Sequence, residues 1–405
     1  MTDKRFLEGT RRAVPPEVTW RRLKPLLPVL GISRVAGITG LDRIGIPVFT
    51  AVRPNGRSLS VFQGKGLTLE AARVSAVMEA FETWCAEAIV KPVLFASLDE
   101  MRFQHTVVDV ARLPVATLEP VDPGLPFLWI EGTDLLSGDP RFVPYEMVHA
   151  NYSLPEPAHS GAFVATTNGL ASGNTRDEAL LHALCEVIER DAVTLWKLTE
   201  DAFGSRHAVA PQSVADPGCR WLLDRFAAAG VRVALFDATS DVGLPVFAAL
   251  IAEGDGGDAA PELGFGCHPA PEVALSRALT EAAQARLTFI AGAREDIPDA
   301  DYTPAAIAER AAAAAAIFAD LAPTRDFAAI ASVERDSIAG DIAATLDALR
   351  CAGIEEVVAV DIGRPAFGLS VIRVVVPGLE AALEGPRSQY VPGARASAQL
   401  MAAVA

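Results

Sequence analysis

HALCEVIE, at residues 182–189, sets the reading of the whole chain. An Ala and an aliphatic residue lead to a glutamate, and a second carboxylate follows three positions later. SAVMEAFE (75–82) repeats the pattern, and RALTEAAQ (277–284) repeats it with an amide in the last place. The lead-ins all carry glycine: NGLASGN (168–174), GKG (64–66) and GFG (264–266). Residues three apart share a helix face. Glu79/Glu82 and Glu186/Glu189 are therefore two carboxylate pairs, each able to point at one place. Two such pairs converging suit a divalent metal and, through it, polyphosphate.

The surroundings support that reading over an exposed polar face. ARVSAVMEAFETW and ALLHALCEVIERDAV are apolar or small on nearly every side of their glutamates. A helix apolar almost all round is buried, and buried carboxylates need partners. Arg190 follows Glu189 directly, and the ERDA run (189–192) is costly to bury without ligands. In the third copy Glu281 keeps the first position, Gln284 replaces the second carboxylate, and Arg286 lies two further on. An amide and a guanidinium beside carboxylates suit a nucleotide's phosphates or ribose; a solvated polar face is the competing reading. Lys65 stands in the GKG turn ahead of a helix, where backbone N–H groups and the helix dipole favour phosphate. No GxxxxGK[ST] is present, so a P-loop is not supported. Asn174 reads as an ordinary helix cap, and Asp42 in TGLDRIGIPV as a turn former.

Composition narrows the classes. The 405 residues carry a net charge of −16, with 51% hydrophobic and 7% aromatic content. No Lys/Arg cluster stands out, which argues against nucleic acid as a partner. No apolar run approaches the ~20 residues of a membrane helix, and MTDKRFLEGTRRAVPPE has no signal core. A cytoplasmic soluble protein is expected. The five cysteines and six histidines are scattered, without metal-site spacing, so any metal should be a hard, oxygen-ligated ion such as magnesium. Cys85 and Cys185 read as small core residues.

A second repetition runs beside the first. ISRVAGITGLDRIGIPVFTAVRP (32–54), VRVALFDATSDVGLPVFAALIAE (231–253) and EEVVAVDIGRPAFGLSVIRVVVPG (355–378) each read as a strand pair. LPFLWIEGTDLLSGDPRFVPYEMV (125–148) adds another around SGDP, with GAFVATT (161–167) continuing it. The spacing is too irregular for a solenoid. The expected class is α+β, with mixed or antiparallel sheets, covering helices and internal pseudo-repeats. A helix should start near Pro16, and AERAAAAAAIFADLAP (308–323) should lie in a soluble helix. EGDGGDAAPE (253–262) and REDIPDADYTPA (294–305) read as flexible connections. The last 25 or so residues read as loosely ordered up to a short apolar helix.

GKGLTLEAARVSAVMEAFE (64–82), NGLASGNTRDEALLHALCEVIERDAV (168–193), EAAQAR (281–286), TGLDRIGIPV (39–48) and AGAREDI (291–297) together resemble the YcaO superfamily, in order and from GTRR (9–12) to VVVPGLE (374–380). The resemblance implies a YcaO-type fold with three parts. Residues 1–60 supply an N-terminal helix and strand region to an ATP site, 61–380 a catalytic domain, and 381–405 a tail. It implies ATP and Mg2+ as cofactors, with a peptide backbone amide phosphorylated on oxygen after a nucleophile has added to its carbon. Glu79, Glu82, Glu186 and Glu189 match the metal-binding glutamates. Ser75, Asn174, Glu178 and Arg190 match nucleotide contacts, and Arg12 and Thr19 the N-terminal ATP contacts. Azoline-forming relatives typically end in a Pro-rich tail and work with a peptide-clamp partner; this chain ends QLMAAVA. AGAREDI and VVVPGLE are more like the TfuA-associated subset. The expectation is thus a peptide thioamidating enzyme acting on a peptide or protein with a TfuA-like sulfur-delivery partner, and a homodimer at family level. An azoline-forming cyclodehydratase and a non-catalytic accessory protein of the same fold are the alternatives.

Overall fold

The computed structural model describes residues 3–199, 201–254, 260–381 and 390–404. Its first unit is an antiparallel meander of β1 (Arg34–Gly37), β2 (Val48–Val52) and β3 (Val61–Lys65). Helix α1 (Pro16–Leu23) precedes it, starting with Pro at its first turn where no N–H is needed. Helix α2 (Leu69–Glu87) follows, capped by Thr68, whose side chain accepts from Ala71 N. The sheet joins residues on both sides of position 60.

The central unit is a six-stranded antiparallel sheet. Its strands are β4 (Val93–Ser97), β5 (Pro126–Asp134), β6 (Pro140–Pro144) and β7 (Leu170–Gly173), completed by β12 (Val358–Asp361) and β13 (Ser370–Val375). The order is β4-β5-β12-β13-β7, with β6 paired to β5. Helix α3 (Leu98–Gln104) follows β4 under a Ser97/Glu100 capping box, and α4 (Arg176–Lys197) follows β7. The third unit pairs β8 (Ala208–Val209), β9 (Val231–Asp237), β10 (Val246–Glu253) and β11 (Glu262–Cys267) in the order β11-β10-β9-β8. It carries α5 (Pro217–Ala228) and α6 (Pro271–Ala291), followed by α7 (Pro304–Asp320), α8 (Ile338–Cys351) and α9 (Ala394–Val404).

All strand pairs are antiparallel, and the four expected hairpins form: β1–β2, β5–β6, β9–β10 and β12–β13. GAFVATT does not become a strand; it contributes an isolated bridge of Phe163 to Val115. Residues 255–259 of the first expected connection and 382–389 of the tail lie outside the described residues. The final helix forms and is anchored. Arg395 Nε donates to Asp191 Oδ1 of α4 at 3.0 Å, and Glu380 accepts from Ala396 N at 2.9 Å. No helix among the described residues is long and apolar enough to cross a membrane.

Each glutamate helix anchors a different apolar cluster with its back. Val74, Val77 and Phe81 of α2 pack with Trp129 and Val371; Leu184, Ile188 and Trp196 of α4 pack with Phe236 and Ile372; Leu275 and Leu279 of α6 pack with Phe226 and Phe247. Three of the four glycines of GKG and GFG lie in strands rather than turns, and Gly66 alone falls in the link from β3 to α2. Gly64 lies inside β3 and Gly264 and Gly266 inside β11. A Cβ on Gly64 would stand 1.9 Å from Ala76 N, and one on Gly264 would stand 2.2 Å from Ala282 N. The strand backbone thus rides directly on alanines of the following helix, and only glycine fits that approach. Gly64→Ala should destabilise the protein by about 2 kcal/mol or more through overpacking. Gly40→Ala, where an added Cβ meets nothing within 4 Å, should stay within about 0.5 kcal/mol. Urea denaturation of the two variants checks the contrast.

Candidate active site

The helical register repeats more fully than the glutamates alone suggest. Within 75–82, 182–190 and 277–284 the partly accessible polar positions are Ser75, Glu79 and Glu82 on α2, His182, Glu186 and Arg190 on α4, and Arg277, Glu281 and Gln284 on α6. Everything else along these stretches is largely apolar and buried, so each helix offers one narrow polar stripe. Ser75, His182 and Arg277 hold the same place, four residues before the first glutamate. His182 and Arg277 were not expected, although that shared register was the signal that could have found them.

Backbone and cross-unit contacts gather the stripes. Gln63 N of β3 donates to Glu79 Oε2 at 3.0 Å, and Phe265 N of β11 donates to Glu281 Oε1 at 3.3 Å. Glu82 reaches across to β7, where Ser172 N and Oγ donate to its Oε1 at 2.8 and 2.6 Å. Lys65 Nζ at the end of β3 pairs with Glu281 Oε2 at 2.6 Å. Arg277 Nη2 of α6 lies 2.9 Å from His182 Nε2 of α4. Arg190 Nη1 stands 3.5 Å from Glu189 Oε1. The three units therefore meet at one cleft.

The pairing in space differs from the pairing in sequence. Glu82 and Glu186 of different helices repel each other, as do Glu79 and Glu281, and Glu189 and Glu281. Burial, with those neighbours adding, pushes Glu82 up to about 8; burial and Glu189 lift Glu186 to about 7 against the pull of Arg190. Burial also raises Glu79 and Glu189. Glu281 is the exception: burial raises it, but Lys65 and Arg190 outweigh that and hold it below the usual carboxylate range. His182 is driven well down by burial and by Arg277, which keeps it neutral.

A network at the start of α4 joins the N-terminal segment to this cleft. Thr19 Oγ1 donates to Asn174 Oδ1 at 2.9 Å, and Asn174 N and Nδ2 donate to Glu178 Oε2 at 2.8 and 3.1 Å. Arg12 Nη1 lies 3.9 Å from the same oxygen. Arg12, Thr19, Asn174 and Glu178 thus come together. The cap of α4 is Thr175, whose hydroxyl accepts from Glu178 N at 3.2 Å, so the capping reading of Asn174 is corrected.

Two other expectations change. Arg286 is not on the stripe of Glu281 and Gln284: five residues on, it turns to another side of α6, where it pairs with Asp42 at 2.8 Å and Glu253 at 2.6 Å. Its guanidinium is committed to tying β10 and the TGLDRIGIPV loop together, which also gives Asp42 a structural use. Lys65 is a strand-end cation held by a carboxylate rather than a residue of a glycine turn. In the ERDA run, Asp191 points away and is matched by Arg395.

The donor set fits a hard divalent cation: Glu79, Glu82, Glu186 and Glu189 offer only oxygen, in a recessed site where burial leaves two carboxylates holding protons near neutrality. Among the described residues no three His, Cys, Asp or Glu side chains are already gathered on one point; a backbone N–H, Ser172 and Arg190 hold Glu79, Glu82 and Glu189 instead.

Comparison with known proteins bears on the chain as a whole. The family model described as YcaO cyclodehydratase, ATP- and Mg2+-binding, matches residues 63–380. An uncharacterised protein in the tfuA 3′ region of Rhizobium leguminosarum bv. trifolii is 39% identical over 394 residues, covering 94% of this chain and 90% of its own. The structure of YcaO from Methanopyrus kandleri bound with AMPPCP and Mg2+ superimposes with a TM-score of 0.74 at 26% identity, over 94% of this chain and 95% of that one. A heterocyclase in complex with substrate and cofactor shares the fold, with a TM-score of 0.76 at 23% identity; the match covers 92% of this chain and 53% of that longer one.

Raised carboxylates carry a stability signature. Between the usual carboxylate range and about pH 8, the folded metal-free protein binds protons that the unfolded chain has released, so stability should fall as pH rises through that window. Glu82→Gln should flatten the fall, and thermal melts from pH 5 to about pH 8.5 read it directly. A slope unchanged by the substitution would contradict the electrostatics described.

Proposed function

This chain belongs to the YcaO family, an ATP- and Mg2+-binding family, and from that footing we propose that it activates a peptide backbone amide by phosphorylating its oxygen, for thioamide formation with a sulfur donor. One observation carries the reading: three helices from three units turn their polar stripes, with four glutamates, toward one cleft, and the buried Glu189 adjoins it through Arg190. A cleft so negative, rimmed by Lys65, Arg190 and Arg277, suits a polyphosphate with its cation.

In this reading Glu79, Glu82, Glu186 and Glu189 hold magnesium. Arg190, Lys65 and Arg277 face the phosphates, and Ser75 and Gln284 border the nucleotide. The Arg12, Thr19, Asn174 and Glu178 network positions the N-terminal segment over it. Arg286 has no part, being bound to Asp42 and Glu253. Bound magnesium would neutralise the polyphosphate's charge as the phosphoryl group moves. The protein's own residues orient and shield: the α2 and α4 backs exclude water with packed aliphatics, and Ser172 keeps Glu82 aimed. No side-chain nucleophile is needed, because phosphorylation turns a poor leaving oxygen into a good one.

The relative in a tfuA 3′ region favours thioamidation with a TfuA-like protein delivering sulfur. The heterocyclase likeness favours the second reading, azoline formation from a Cys, Ser or Thr side chain of the peptide. Incubation with peptide, ATP, magnesium and sulfide followed by mass spectrometry separates the two. Exchange of one oxygen for sulfur is the expected product, and loss of one water would sink the thioamide reading. Glu186→Gln should lower magnesium-dependent ATP turnover by about 100-fold or more; unchanged turnover would refute the metal assignment.

A further inference from the structure

Arg373 is a cation that the proposed machinery does not use. It lies on β13, on the face it shares with Val371 and Val375, and is 2% exposed. Its Nε and Nη1 are buried without a hydrogen-bond partner, and no carboxylate forms an ion pair with it among the described residues. A guanidinium carries five donors, and leaving it buried and unmatched is strongly unfavourable. Burial therefore lowers its proton affinity.

The residue lines a cavity of about 30 Å³, walled by Met147, Val164 and Val187 and edged by Asn168. Asn168 Oδ1 is also buried and without a donor. Glu380, the carboxylate on the same wall, is already taken: it accepts from Tyr390 Oη at 2.7 Å and from Gly393 N and Ala396 N, both at 2.9 Å. Arg373 and Glu186 feel each other's charge, which places the cavity beside the cleft. A space of this size admits a water or two, or one small ion.

The guest must meet three conditions. It must be anionic, to match Arg373, and must carry one proton to give to Asn168 Oδ1. It must also be small and weakly hydrated, to lie among valines. Phosphate and carboxylates are too large and too strongly hydrated, and water lacks the charge. We propose that Arg373 and this cavity form the binding site for hydrosulfide, the incoming sulfur nucleophile; the assignment rests on the thioamide reading above.

The chemistry balances with ATP as co-substrate. The sulfur lone pair forms a C–S bond to the amide carbonyl carbon, and the C=O pair moves to oxygen. That oxygen takes the γ-phosphoryl group, breaking its bond to the β-phosphate and releasing ADP. The S–H proton passes to a phosphate oxygen, the C–O bond breaks, and C=S forms as phosphate departs.

Bromide shares the guest's charge, small size and weak hydration but not its proton, and so probes the Arg373 side of the site. Crystals of the full chain soaked in sodium bromide and measured at the bromine edge should show an anomalous peak beside Arg373, and Arg373→Gln should lose it. In turnover, Arg373→Gln should raise KM for sulfide about tenfold or more while KM for ATP and peptide stay unchanged; Arg373→Lys should recover part. No bromide beside Arg373 in the unaltered protein overturns the site, whatever the variants' folding. An unchanged sulfide KM in folded Arg373→Gln overturns the assignment to sulfide. Product mass keeps the two readings apart. A sulfur-containing product without bromide density sinks the site alone, whereas a product lighter by one water sinks the thioamide reading and the sulfide assignment with it.

Discussion

Five glutamates set into apolar helices must each find a positive or N–H partner, and that requirement ties the structure together. Glu79 and Glu281 take theirs from the strand that precedes their own helix. Glu82 takes its partner from Ser172 of the neighbouring unit, and Glu281 takes a second from Lys65 of the first. Because the partners are shared across units, the three sheets cannot drift apart without leaving a carboxylate unmatched. An unmatched buried carboxylate costs several kcal/mol, so the polar cleft acts as the joint between three apolar clusters.

The matching is incomplete, and that is where the chemistry lies. Burial, with neighbouring glutamates adding to it, holds Glu82 at about 8 and Glu186 at about 7, the latter against the pull of Arg190. Glu281 is fully matched, by contrast, and sits low. A cation that enters therefore meets carboxylates already aimed, and displaces protons rather than reorganising the fold. The same accounting sets Arg373 apart. It is a positive charge left over within reach of Glu186, with its neighbouring carboxylate Glu380 turned to the C-terminal segment. The Arg395–Asp191 contact fixes that segment to α4 directly beside the Glu186–Glu189 turn.

Much of this was legible beforehand, and for local reasons. The hairpins follow from alternating β-rich runs, and the buried backs of α2, α4 and α6 follow from the apolar surroundings of their glutamates. The unread parts depend on distance. Arg286 resembles a site residue because it is near Glu281 in sequence, yet five positions along a helix turn it elsewhere, onto Asp42 and Glu253. GKG resembles a phosphate-binding turn, but its Gly64, like Gly264 of GFG, serves close backbone approach between strand and helix.

Sequence alone determined that three helices would each carry a polar stripe in one register, because spacing of three and four residues is a property of the helix itself. It also determined the oxygen-only chemistry of the donors. Tertiary structure decided which carboxylates meet. Glu82 faces Glu186, and Glu281 joins Lys65 and Glu189. It also decided that Arg373 would be left as an unpaired cation beside them. Those neighbours are far apart along the chain, so only the packing of sheet against helix could bring their charges within reach.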